Sequence, residues 1–200
     1  MIVFILLFVG WGALHSVTAA FGLKGWFRQR FGEDAYTGWY RLLYNLFSII
    51  TFLPVYLLIP VLLAQDVIWQ WKRPFLFIAI GVQIVGLAGL AYSLWVTDIW
   101  RFLGVRQVVW YLRGAQEPLP ESQFVTAGPY RLVRHPLYFF SLLVLWFNPV
   151  MTVGSFVFYV LVTLYFWVGS LYEERKLLAH FGEAYAQYQQ KVPRLLPIRR

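Results

Sequence analysis

Apolar runs of about twenty residues recur down almost the whole sequence, and that feature leaves the chain few ways to fold. A helix needs about 20 mostly apolar residues to cross the hydrocarbon of a bilayer. Inside lipid only a helix or a closed barrel satisfies its own backbone. Runs at residues 2–21, 40–63, 75–96, 137–149 and 152–171 predict about five transmembrane helices. The fourth is short and runs into Asn148-Pro149, a dipeptide that favours a turn. Spans four and five therefore read as a tight helical hairpin. Pro54 and Pro60 each remove a backbone donor from span two and predict a kink there. The first run has no basic residue ahead of it, unlike a secretory leader, and reads as a retained span.

Composition supports the same solvent. The chain is 60% hydrophobic and 13% charged, against about 45–50% and about 25% in soluble domains. It has no cysteine, which excludes disulfides, thiolate metal sites and a cysteine nucleophile. The net charge of +8 needs no nucleic acid to explain it, because the basic residues are segregated. Lys24, Arg28, Arg30 and Arg41 lie between spans one and two, and Arg101, Arg106, Arg113, Arg131 and Arg134 between three and four. Arg175, Lys176, Lys191, Arg194, Arg199 and Arg200 follow span five, and only Lys72 and Arg73 fall on the opposite side. The positive-inside rule then places the N-terminus outside and the C-terminus in the cytoplasm of a bacterial-type inner or plasma membrane. A four-span arrangement with a re-entrant last hairpin gives the tail the same side.

The tail itself is no span. Leu177, Leu178, Phe181, Tyr185 and Tyr188 recur at helical steps and predict an amphipathic helix on the cytoplasmic surface. The fold class is thus an all-α integral membrane protein, with about five transmembrane helices plus a C-terminal amphipathic cytoplasmic helix.

Two polar constellations stand at the hairpin's open end. "GPYRLVRHPLYFF" (128–140) sets two arginines, a histidine and a proline before an apolar run. Lipid contact explains Arg131 and Arg134, and an aromatic belt explains Tyr130 and Tyr138. Neither explains His135-Pro136. Proline suits the first turn of a helix, whose free N–H groups favour an anion beside His135. Glu173-Glu174 ends span five; a solvated helix end is the plain alternative. A hairpin would nonetheless bring His135, Tyr138 and Glu173 into one small volume. Adjacent cationic and anionic groups match a zwitterion such as an amino-acid head group. His15 lies inside span one, where an ionisable residue serves either function or structure. The three histidines have no metal-ligand spacing, so no metal is expected.

The order "GPYRLVRHPLY", hairpin, "EERKLLAHFGEAYAQYQQKVP" resembles the isoprenylcysteine carboxyl methyltransferase superfamily of integral-membrane enzymes, with the phospholipid N-methyltransferases as relatives. The resemblance implies S-adenosylmethionine as methyl donor, enclosed at the cytoplasmic face by the last two spans and the tail. Tyr130, His135, Pro136, Leu137 and Tyr138 match cofactor-contacting positions, as do Gln123, Phe124 and Val125 in the segment leading in. Glu173 matches the cofactor-binding glutamate, and Glu174 is grouped with it. The chain then reads as one methyltransferase domain over 1–200, with three spans in 1–96 and the cofactor-binding part in 97–200. Two positions depart from the prenylcysteine pattern: Gly169 stands where those enzymes carry an arginine, and Phe140 where they place a glycine. "LGVRQVVWYLRG", "NPVMTVG" and "EERKLLAHFG" look like the methanethiol S-methyltransferase group. "LHS" with "YRLLYNLFS" looks like that group and a denitrification-associated membrane family.

The implied reaction is in-line methyl transfer to a small or lipophilic thiol. Arg106 and Arg134, with Arg131, are the candidate acceptor-side residues, since positive charge favours a thiolate. An O- or N-methyltransferase of a prenylcysteine or phospholipid, and a non-catalytic membrane accessory protein, are the alternatives.

Overall fold

The structure is a computed structural model, and it describes residues 1–115, 119 and 124–198. Its elements, in chain order, are α1 (Ile2–Thr18), α2 (Phe21–Phe31), α3 (Glu33–Leu57), α4 (Ile59–Leu62), β1 (Val67–Gln70), α5 (Phe75–Val96), α6 (Ile99–Leu103), α7 (Val105–Leu112), a 3₁₀ turn (Gly128–Arg131), α8 (Pro136–Trp146), β2 (Val150–Thr152), α9 (Val153–Phe181) and α10 (Glu183–Lys191). These form two compact units, Met1–Leu63 with Asp98–Ser122, and Ala64–Thr97 with Gln123–Arg200.

Among the described residues, three helices are long and apolar enough to cross a membrane: Glu33–Leu62, Phe75–Val96 and Val153–Phe181. The pair Ile2–Thr18 and Gly22–Phe31, bent by 50°, makes a fourth if the two are one broken span. Their outward residues are apolar, with Ile2, Leu53, Phe77 and Trp95 more than half exposed, as expected where lipid is the solvent. The protein is an all-helical integral membrane protein in its main architecture. The expected count of five is not reached by length. Helix α8 has only 11 residues, about 16 Å at 1.5 Å per residue, because Asn148-Pro149 stops it.

In the first unit α1 lies along α3. Tyr40 donates to the Thr18 carbonyl at 2.5 Å, and His15 sits between Ser48 (Nδ1, 2.9 Å) and Tyr44 (Nε2, 2.6 Å). Ser48 gives its own proton to the Tyr44 carbonyl, so its oxygen accepts from His15 Nδ1–H and Tyr44 donates to Nε2. That arrangement joins "LHS" to "YRLLYNLFS". Arg41 and Asn45, one turn apart on α3, donate to the carbonyls of Phe102 and Leu103 and so cap α6. Gly104 (φ +94°) allows the next turn to press against the backbone of Leu42.

In the second unit α5, α8 and α9 run up, down and up. The seam of α5 is made of small residues. A Cβ on Gly86 would lie 2.8 Å from Val144, and one on Gly89 would fall inside the Phe140 ring. Small residues are what let membrane helices approach this closely. Gln83 adds a 2.8 Å bond to the Val144 carbonyl. Phe140, noted from sequence as a departure, fills the hollow that Gly89 leaves. At one end β1 pairs antiparallel with β2, in the register Val67↔Thr152, Trp69↔Met151 and Gln70↔Val150. The sequence reading had no strand here. The ribbon forms because the turn after α8 lies beside the segment before α5 and each supplies unpaired backbone groups, which must find partners. Helix α9 then starts with a reciprocal Thr152–Ser155 capping box, and its first N–H groups reach the carbonyls of Asp66 and Ala64.

At the other end α9 continues past residue 171 to Phe181. The expected tail face is divided there: Leu177, Leu178 and Phe181 finish α9, while Tyr185 and Tyr188 lie on α10. Gly182 makes the break at φ +55°, ψ −130°, a conformation essentially restricted to glycine.

Candidate functional site

The polar end of the second unit gathers residues from four elements. Pro136 is the first residue of α8 and is fully buried. Its missing N–H costs nothing in a first turn. His135 precedes it as the cap and is 6% exposed. Its own N–H donates to the Arg194 carbonyl, and that of Arg134 to Pro193. The chain beyond α10 is thus a backbone strap across the start of α8, and it occupies the N–H of His135, next to the helix N–H groups that the sequence had offered to an anion.

The His135 ring lies between two carboxylates. Nε2 is 3.2 Å from Glu174 Oε1 and Nδ1 is 3.3 Å from Glu173 Oε2. Both neighbours are acceptors, so the arrangement is satisfied when both nitrogens carry protons. Burial alone would lower the pKa of His135. The hydrogen bonds and charges of Glu173 and Glu174 outweigh it and raise the pKa above its ordinary value. Arg134 completes the cluster. Its Nε donates to Glu174 Oε1 at 2.7 Å, and one terminal nitrogen donates to the carbonyls of Gln189 and Val192. It therefore ties the end of α10 to α9. Gln189 occupies the other Glu174 oxygen at 3.0 Å.

The two glutamates differ in what they leave open. The Glu174 side chain is 11% exposed and bonded on both oxygens; that of Glu173 is 49% exposed. Tyr138 donates to Glu173 at 3.1 Å. Its ring is held flat between His135 (5.4 Å, 7°) and Phe166 (4.5 Å, 12°), so the hydroxyl has a fixed place.

Behind the cluster lies an aromatic group. Phe124 stacks on Phe181 at 5.0 Å and meets Tyr185 and Tyr188. The Tyr188 hydroxyl donates to the Tyr130 carbonyl at 2.6 Å. Burial, the Glu173 charge and a hydrogen bond with Thr97, which opposes them, leave the Tyr130 phenol at about 12. Tyr185 is 1% exposed, and its hydroxyl has no partner among the described residues. Val125 and Leu137 are half-buried. Gln123 lies outside the described residues.

Arg106 belongs to the first unit. There it pairs with Asp98 at 2.6 Å across a solvent-exposed contact, and Asp98 also caps α6 through the Arg101 N–H. Next to it, Gln107 is buried and donates to the Arg101 carbonyl at 3.0 Å. Sequence reasoning missed Gln189, the strap and the lone Tyr185 hydroxyl. The tyrosines had been read as an apolar face, and carbonyl partners leave no mark in side-chain patterns.

Residues 96–180 match the isoprenylcysteine carboxyl methyltransferase (ICMT) family. Methanethiol S-methyltransferase 1 of Bradyrhizobium diazoefficiens is 31% identical over 206 aligned positions, covering 100% of this chain and 68% of that protein. The methanethiol S-methyltransferase of Mycobacterium tuberculosis is 33% identical, covering 92% and 72%; that of Pseudomonas deceptionensis is 30% identical, covering 98% and 72%. No solved structure matches. The chain belongs to the isoprenylcysteine carboxyl methyltransferase superfamily of integral-membrane methyltransferases, in the methanethiol S-methyltransferase group.

Proposed function

We propose that this protein transfers a methyl group from S-adenosylmethionine to a small, methanethiol-like thiol, with the donor held at the polar end of α8, α9 and α10. The observation that carries the reading is the half-exposed Glu173 carboxylate, fixed by His135 and Tyr138, beside a Glu174 already bonded on both oxygens. A zwitterionic amino-acid end fits such a place: Glu173 would take its ammonium, with the charge of His135 near its carboxylate. The Tyr185 hydroxyl, without a partner among the described residues, supports a ligand on the aromatic side, since an unmet buried donor costs about 1–3 kcal/mol. Phe124 and Tyr188 beside it offer the stacking surface a purine needs.

The bound donor supplies an activated methyl on a sulfonium. The protein's own work is orientation and exclusion of water; good positioning accounts for about 7–11 kcal/mol of such a barrier. Glu174 holds the His135 ring, and Arg134 and Gln189 hold Glu174 in turn, so in this reading the three support the site from behind. The exposed Arg131, three residues before Arg134, favours the thiolate form of the acceptor. We assign five passages, with α1, α3–α4, α5, α8 and α9 crossing in turn, the N-terminus outside and the site cytoplasmic. Support comes from the segregated basic residues and from the grouping of Thr97, His135 and Glu173 at one end of the second unit, opposite the β1–β2 ribbon.

The test is methyl transfer from labelled S-adenosylmethionine by the purified protein, with methanethiol, a prenylated cysteine analogue and phosphatidylethanolamine in separate vials. Label in the headspace of the methanethiol vial is expected. Label confined to the prenyl or lipid fraction would overturn the acceptor assignment.

A further inference from the structure

We propose that Gly169 forms the seat of the methyl acceptor and limits its size. This rests on the thiol methyltransferase reading above and names the acceptor side of that same site. A glycine inside a helix loses stability relative to alanine, so its presence in a 29-residue helix asks for a reason. Gly86 and Gly89 have one, because Val144 and Phe140 occupy the room their side chains would need. Gly10 and Gly81 meet nothing within 4 Å and lie on exposed faces. Gly169 fits neither case. It is half-buried, and the one described atom close to where its Cβ would stand is the Tyr138 hydroxyl, at 3.8 Å. Among the described residues, the missing side chain leaves open space beside one immobilised polar atom.

The surroundings define what that space takes. Gly169 and Glu173 are four residues apart on α9, hence on one face and about 6 Å apart along the axis. Gly169 is the farther from the polar end. Phe166, three residues before it, holds the Tyr138 ring in place. The space is therefore walled by a bare helix backbone and aromatic rings, with one hydroxyl at its edge. Among the described residues the carboxylates and the His135 ring gather at the Glu173 level, and the one guanidinium described farther along α9, that of Arg194, lies over the Trp167 ring. A zwitterion belongs at that level; a molecule of a few apolar atoms with one weakly polar sulfur belongs one turn away. Two occupants at two levels of one helix face is the geometry that a transfer between donor and acceptor requires.

The experiment uses wild-type protein, Gly169→Ala and Gly169→Leu in detergent. S-adenosylmethionine affinity is measured by calorimetry. Turnover at saturating donor is measured with methanethiol, ethanethiol and 1-butanethiol. Alanine suits the helix and meets Tyr138 at ordinary contact distance, so misfolding does not cloud that arm. Expected are donor affinities within about twofold of wild type in both variants. Gly169→Ala should keep methanethiol turnover within about threefold while kcat/KM for butanethiol falls at least tenfold. Gly169→Leu should lose every thiol at least tenfold. Equal losses on all three thiols in the alanine variant, full activity in the leucine variant, or donor affinity falling in step with turnover would each overturn the seat alone. A wild-type protein that binds the donor and methylates no thiol would overturn the thiol reading and this inference with it.

Discussion

His135 gains its charge from position. One carboxylate stands against each ring nitrogen, and together they outweigh the burial that would otherwise discharge the ring. A folded-state pKa above the unfolded value of about 6.5 has a definite consequence. The ion pair's stabilisation is fully present below about pH 6.5 and is lost as pH rises through the folded value. Thermal unfolding of wild type against His135→Gln should therefore show its largest difference near pH 6, shrinking toward pH 9; a difference that grows with pH contradicts the charged ring. Tyr130, held at about 12, stays neutral throughout and does not blur the comparison. Tyr185→Phe gives a second check. It removes a buried donor that has no partner among the described residues, so stability should hold or rise, by up to about 1–3 kcal/mol, while donor affinity falls several-fold. Lower stability with unchanged affinity would make Tyr185 a core residue only. At this scale the sequence showed the proximity of His135, Tyr138 and Glu173, because a hairpin forces its open ends together. It did not show which glutamate is saturated. That depends on Gln189 and on backbone carbonyls, which no side-chain pattern announces.

At the scale of elements, the seam between α5 and α8 carries the second unit. Gly89→Leu should prevent α8 from reaching α5 and lower the unfolding temperature sharply, with overpacking of this kind costing about 1–3 kcal/mol or more. Near-wild-type melting would mean that the two helices do not meet there. Gly169→Ala makes the opposite comparison, since among the described residues only the Tyr138 hydroxyl comes within 4 Å of the new Cβ, at an ordinary contact distance of 3.8 Å. The apolar runs of α3, α5 and α9 were legible because hydrophobic length is a direct readout of bilayer thickness. The shortness of α8 was legible from Asn148-Pro149. The β1–β2 ribbon was not, since Val67–Gln70 and Val150–Thr152 are too short to show a period of two. The division of the tail at Gly182 was missed because apolar spacing continues across it, and only the backbone angles reveal the break.

For the whole molecule, the absence of cysteine makes the proposed sidedness straightforward to test. Single substitutions Gln70→Cys in the ribbon and Glu183→Cys at the start of α10 can be probed in intact cells with a membrane-impermeant maleimide. Labelling of Gln70→Cys alone is expected, and labelling of Glu183→Cys alone would invert the orientation. The central claim is that the cluster at the open end of α8 and α9 holds the methyl donor. Its most direct test is calorimetric titration of S-adenosylmethionine into detergent-purified wild type, His135→Ala and Glu173→Gln. The account predicts measurable binding by wild type and at least tenfold weaker binding by each variant, with Glu173→Gln, being isosteric and half-exposed, still folding cooperatively. Wild-type affinity in both variants would contradict it.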